Sequence, residues 1–493
     1  MMRYFLIVTG FFALSYSSAQ ENPYKFQVHN LKDTVVYLAN YYGEKLYYAD
    51  TAYSNNKGEF SFKEIDEEKQ GKYAVVIPGP KYFEIVIADN EKINIETDTT
   101  DLADNLKVHA SQNNKILYDY MNFLSERRKE RELLLEKLEQ NEGKPKLTKA
   151  IKTEYNTLND KVANYQRNMA VEYPDKFAAK EILMGVEPEP PAAIREDKTK
   201  AYYYYKDHYF DNIDLKDDRI IRSPIFHGRL DNYLSKTLIQ NPDTVAKAMD
   251  KLIAQIEPGS EVYKYVVHYA TYSFETSKIM GMDKAFVHMV DNYYKPDLAF
   301  WMDEENLETI KEKANQKRNT LIGDPIPELI LMDTSGTWIN SHTDLDQKYV
   351  LLYFYDPDCG HCKKETPKLV EFYKNFDQEL LGIYAVSSEM GEKWTDFIKK
   401  NEMNFYNVAI PQKAYEDADY ATRLITTRKT NYTSLKYQET YDVFSTPKIL
   451  LIDEDRILRA KDIGVDQIEK LINRFEGIET GESQPIEKQE PAD

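Results

Sequence analysis

A Cys-x-x-Cys pair set between a strand pattern and a helix pattern is the tightest constraint in this chain. Cys359 and Cys362 are the only cysteines among its 493 residues. Before them, Tyr349 to Phe354 is a continuous apolar run, as a strand covered on both faces requires. After them, Lys363 to Phe376 carries apolar residues at helical spacing. A strand feeding the pair into a helix start sets the first sulfur near free backbone N–H groups, where the helix dipole favours a thiolate. The second sulfur falls about one turn further in, shielded and close enough to close a disulfide.

The spacing argues for redox chemistry rather than stapling, because a loop this small contributes little chain entropy when closed. The N-terminus fits an exported protein. Met1-Met2-Arg3 supplies a positive charge, Tyr4 to Leu14 an apolar run, and Ser17-Ser18-Ala19 a small-residue cleavage site. A signal peptide over residues 1–19 and a periplasmic location follow as expectations, with a tether formed by an uncleaved N-terminus as the competing reading. The apolar run is short for a membrane span of about 20 residues, and no later segment approaches that length. No stable span is expected after cleavage. The formal charge of −19 argues against a nucleic-acid partner. A zinc site would need two further soft ligands, and His208, His227, His268 and His288 are scattered singly. No metal and no cofactor are expected. A thiol peroxidase would carry Thr or Ser three residues before its cysteine, and Asp356 stands there.

Composition is globular, with 42% hydrophobic and 30% charged residues, and a chain of this length divides into about three domains. Residues 20–101 read as a small antiparallel β-sandwich-like domain, from short alternating runs such as Thr34–Leu38, Glu59–Phe62, Tyr73–Ile77 and Phe83–Ile87. Residues 102–320 read as mostly helical, with Leu117, Tyr120, Met121 and Leu124 at helical spacing and a second run from Leu147 to Ala170. The mixed charges of Glu126 to Glu132 suit a solvated helix face. The four tyrosines Tyr202 to Tyr205 suit helix packing, with a partner-binding groove as the alternative. Residues 321–476 alternate strand and helix and close on a Lys448–Ile452/Ile457–Lys461 hairpin and a Val465–Phe475 helix. Residues 477–493 read as an acidic disordered tail.

Residues 323–475 resemble the exported TlpA/ResA-like thiol–disulfide oxidoreductases. The marks are Pro325-x-Pro327-x-Leu329 with the Gly336 turn, Cys359-Gly360-His361-Cys362, Pro367 five residues beyond the second cysteine, and Ser445-Thr446-Pro447. Residues 24–320 resemble, more faintly, uncharacterised N-terminal modules that accompany such domains in exported proteins of Gram-negative bacteria. The resemblance implies a C-terminal α/β thioredoxin fold that exchanges its dithiol or disulfide with protein thiols and disulfides. It also implies a membrane protein as electron donor or oxidant. Transferred to this chain, Cys359 is the exposed nucleophile and Cys362 resolves the mixed disulfide. Pro447, if cis, leaves the Thr446 backbone to pair with a substrate chain.

Gly360 and His361 set the tuning positions between the sulfurs. An imidazole there favours the Cys359 thiolate and makes the disulfide more oxidising, in the sense that about −180 mV for protein disulfide isomerase differs from about −270 mV for thioredoxin. Asp358 opposes this, and Lys363 and Lys364 support it. Tyr353 occupies the place of thioredoxin's buried acid; ResA-like relatives place a glutamate after the next strand, so the resemblance makes Glu389 the candidate acid/base, with a solvated helix-start carboxylate as the equal alternative. The long stretch Tyr415 to Tyr441, with Arg423, Arg428, Lys429 and Lys436, is either a substrate-shaping segment or a surface insertion. The direction of exchange expected is reduction. An oxidase–isomerase of the DsbA or protein disulfide isomerase kind is one alternative. A non-catalytic interaction protein using the fold as scaffold is the other.

Overall fold

The computed structural model describes residues 22–478. The expected signal peptide, and the expected tail from 479 onward, lie outside the described residues. The chain divides into two units: one runs to Thr237 and takes in Ser260–Val262, the other holds Leu238–Gly259 and continues from Tyr263.

In the first unit, eight strands form two sheets. They are β1 (Tyr24–His29), β2 (Val35–Tyr42), β3 (Lys45–Tyr53), β4 (Glu59–Phe62), β5 (Gly71–Ile77), β6 (Lys81–Ile87), β7 (Ile93–Asp98) and β8 (Lys107–Ala110), in the orders β4-β1-β7-β8 and β3-β2-β5-β6. Alternate residues of both sheets, among them Phe26, Phe60, Val75 and Ile85, share one apolar core. Pairing is antiparallel except between β1 and β7, which run parallel from Tyr24↔Ile93. Alternation sets which face of a strand is buried and leaves its partner open, so this pairing had no signal in the sequence.

The helices Gln112–Gln140, Pro145–Glu172 and Phe177–Met184 belong to the same unit. Asn114 docks the first of them: its Oδ1 accepts from the Val86 N–H at 2.9 Å and its Nδ2 donates to the Val86 carbonyl at 2.8 Å. Residues 126–132 lie largely exposed, as their mixed charge requires. In the four-tyrosine run Tyr202, Tyr204 and Tyr205 are half-buried, Tyr205 meeting the Tyr209 ring edge-on at 5.4 Å, and Tyr203 is exposed. Its helix, Lys198–Asp207, buries no residue, and Tyr204 stacks on His208 at 4.1 Å, while the buried ring is Tyr209 in the following turn.

The second unit contains the helices Pro242–Ile253, Asp283–Tyr293 and Glu304–Arg318, followed by a seven-stranded sheet. Its strands are β9 (Ile330–Asp333), β10 (Trp338–Asn340), β11 (Tyr349–Tyr355), β12 (Leu381–Ser387), β13 (Tyr406–Ala409), β14 (Lys448–Ile452) and β15 (Leu458–Lys461), in the order β10-β9-β13-β12-β11-β14-β15. β11, β12 and β13 are parallel, and the remaining pairs are antiparallel. Every residue of β11 and β12 is buried, because an apolar cluster packs on each face of the sheet. The all-β, helical and thioredoxin-like regions therefore follow one another as the sequence predicts.

The long segment before Pro447 forms four short helices, Gln412–Glu416, Ala418–Thr426, Tyr432–Leu435 and Tyr437–Thr440. Its C-terminal half is core. Tyr437 and Tyr441 pack their rings on Phe354 with centroids at 5.7 and 5.5 Å. Thr430 Oγ1 donates to the Ile330 carbonyl at 2.6 Å, and Ser434 Oγ accepts from the Ile330 N–H at 2.8 Å. Arg423, Arg428, Lys429 and Lys436 are exposed.

Candidate active site

The site forms where β11 ends and the Cys362–Asn375 helix begins. Asp356 shapes the connecting loop: its Oδ1 accepts from the Asp358 N–H at 2.7 Å, and its carbonyl accepts from the Cys359 N–H at 3.1 Å. This turn holds Cys359 ahead of the helix, with exposed His361 as the capping residue and exposed Gly360 between them.

Both cysteines are free thiols, and their surroundings differ. Cys359 is partly exposed. The Cys362 backbone N–H leads the interactions that draw its pKa below an ordinary thiol's, followed, against some burial, by Thr446 and the His361 N–H. Cys362 is fully buried, and burial pushes its pKa up to about 11 against the Asp356 N–H, which reaches its sulfur at 3.5 Å. One sulfur is reachable and acidic. The other is shielded and holds its proton.

Thr446–Pro447 is a cis peptide bond, and the Cys359 Sγ–H donates to the Thr446 carbonyl at 3.2 Å. Two sequence-distant segments therefore meet at the Cys359 sulfur.

The carboxylate beside Cys359 is paired. Asp358 forms ion pairs with Lys393 and, at 3.9 Å, with Lys363, and the hydrogen bond from Lys393 holds its carboxyl below the usual range. Its expected opposition to the Cys359 thiolate is thus largely cancelled locally. Lys393 opens the Glu392–Asn401 helix, and nothing in the sequence tied it to residue 358. Lys363 also donates to the Asp358 carbonyl at 3.2 Å, so its ammonium serves the loop.

Behind Cys362 lies a buried aromatic wall. Tyr353 and Tyr355 stack at 5.4 Å; the Tyr353 hydroxyl is 2.8 Å from Thr366 Oγ1, and Trp394 Nε1 donates to the Tyr355 hydroxyl at 3.0 Å. Burial raises both phenols well above their ordinary pKa, so they stay neutral. Glu389 follows β12 and is half-buried, with Oε1 buried and unpartnered and its N–H donating to Ser387 Oγ at 3.4 Å. Among the described residues no hydrogen bond joins it to either sulfur. No cluster of His, Cys, Asp or Glu able to hold a metal occurs among them either.

Two stretches of the chain match known families. Residues 322–461 match the AhpC/TSA family, and residues 137–319 match a domain of unknown function, DUF5106. The thiol–disulfide oxidoreductase ResA of Bacillus cereus is 28% identical over 155 residues, covering 31% of this chain and 77% of its own length. ResA of Bacillus subtilis is 33% identical over 108 residues, covering 21% of this chain and 59% of its own. The crystal structure of StoA from Bacillus subtilis, at 21% identity, covers 30% of this chain and 98% of its own, with a TM-score of 0.21. The C-terminal part of the chain is an AhpC/TSA-family domain with a thioredoxin-like fold, related to the ResA-like thiol–disulfide oxidoreductases and preceded by a DUF5106 domain.

Proposed function

We propose that the protein is an exported thiol–disulfide oxidoreductase that reduces disulfides in protein clients through Cys359 and Cys362. The observation that carries the reading is the asymmetry of the two thiols, one partly exposed with a depressed pKa and one buried with a pKa near 11. The Cys359 thiolate attacks one sulfur of a client disulfide; a mixed disulfide forms, and the other client sulfur leaves as a thiolate. Cys362 then loses its proton and attacks the Cys359 sulfur. The client leaves carrying two more electrons, and the protein keeps a Cys359–Cys362 disulfide. A dithiol on a membrane-bound donor protein restores the reduced pair by the reverse exchange.

Glu389 is assigned the proton of Cys362, supported by its buried, unpartnered oxygen beside the end of β12. Gly360 lies in open space, where an added Cβ would meet nothing within 4 Å.

The test is reduction of a disulfide-bonded protein with dithiothreitol as electron source. Wild type turns over, Cys359→Ser does not, and Cys362→Ser accumulates the mixed disulfide. Turnover undiminished in Cys359→Ser refutes the reading. The depressed pKa of Cys359 also favours the reduced form, which supports an oxidase–isomerase as the second reading. A measured potential near about −120 mV, the value for DsbA, selects that one.

A further inference from the structure

Phe444 is the aromatic residue nearest in sequence to the cis peptide, and it is 70% exposed. Its exposure is held in place from both sides. Val443 before it is buried in the cluster on the far face of the sheet, and its N–H donates to the Gln438 carbonyl at 2.8 Å. Lys448 after the loop is buried as well; its ammonium donates to the Asp442 carbonyl at 2.7 Å and lies 3.6 Å from the Asp442 carboxylate. Asp442 in turn pairs with Lys317 at 3.5 Å. The segment 444–447 is thus pinned at both ends, and its phenyl ring is left facing solvent.

Position gives that ring a meaning that a solitary surface phenylalanine lacks. Phe444 stands two residues before Thr446, whose carbonyl touches the Cys359 sulfur at 3.2 Å. Two residues of chain span at most about 7 Å. A client joined to Cys359 has the side chains flanking its own cysteine within the same reach. An exposed aromatic there offers apolar area beside the place where the client must lie.

We infer that Phe444 is a specificity-determining residue that receives an apolar side chain one or two positions from the client's reacting cysteine. The substrate class is accordingly polypeptide segments with apolar-flanked cysteines, exposed in unfolded or partly folded chains. This rests on the oxidoreductase reading above and narrows it.

The experiment compares two synthetic peptides of equal length and net charge, each with one intramolecular disulfide. One has Leu or Phe beside the cysteines, and the other has Ser and Gln. Wild type should prefer the apolar peptide by about tenfold in kcat/KM, expressed in KM. In Phe444→Ala that ratio should fall close to one, and in Phe444→Leu it should be intermediate. The ring is exposed, so its removal leaves folding intact. Turnover of both peptides by wild type with equal efficiency, or an unchanged ratio in Phe444→Ala, overturns the assignment of Phe444 alone. Failure of wild type to reduce either peptide overturns the oxidoreductase reading, and the assignment with it.

Discussion

At the scale of single residues, the site depends on how a carboxylate and a thiol share one turn of chain. Asp358 and Cys359 are adjacent, and Lys393 keeps the aspartate's charge occupied. Lys393→Met should therefore move the Cys359 pKa upward, toward that of an ordinary thiol, and lower the rate of its attack at pH 7 on the order of two- to fivefold. Titration of thiolate absorbance measures the first effect, and Lys393→Met/Asp358→Asn should restore the wild-type value. The pH dependence has a definite sign. Thiolate is the nucleophile, so alkylation of Cys359 rises with pH, with a midpoint below that of a free thiol. Cys362 should stay unreactive until the pH approaches about 11. A single titration step at an ordinary thiol pKa contradicts both. The placement of Cys359 and Cys362 between a strand and a helix was legible from spacing and apolar pattern. Lys393 was not, because an ion pair between a loop and a helix 35 positions later leaves no periodic trace.

At the scale of elements, the site is the junction of β11 with the Cys362–Asn375 helix, and a buried hydroxyl pair helps fix that junction. Tyr353 on the strand and Thr366 in the helix satisfy one another at 2.8 Å. Tyr353→Phe leaves the fully buried Thr366 hydroxyl without that partner and should cost about 1–2 kcal/mol in urea unfolding of the reduced protein. Thr366→Val added to it should recover part of the loss, because no polar group is then stranded. The sequence showed β11 and the closing helix nearly to the residue, since a continuous apolar run and strong amphipathic spacing are local signals. It showed far less of the segment before Pro447. Short helices of four or five residues carry too little periodicity to read, and the burial of Tyr437 and Tyr441 against Phe354 is a tertiary fact.

At the scale of the whole molecule, the second unit joins its helices to its sheet through an ion pair between a buried lysine and a largely buried aspartate. Lys461 on β15 pairs with Asp283 at the start of the Asp283–Tyr293 helix and donates to the Thr320 carbonyl at 2.6 Å. Lys461→Met strands a largely buried carboxylate and should lower stability by about 3–5 kcal/mol in chemical denaturation. Lys461→Met/Asp283→Leu should recover much of that, since an apolar pair removes both charges together. A loss under about 1 kcal/mol in the single variant would show that the pair holds nothing together.

By itself the sequence determined where the Cys-x-x-Cys pair stands, the strand before it, the helix after it and the succession of β, helical and α/β regions. Each of these is written in contiguous residues, where spacing and apolar pattern act over one turn or one pleat. Tertiary structure decided which segments meet: the parallel pairing of β1 with β7, the cis Thr446–Pro447 carbonyl at the Cys359 sulfur, Lys393 on Asp358, and the division of the helices between the two units. These contacts join residues tens of positions apart, and they are chosen by shape, burial and charge once the elements exist.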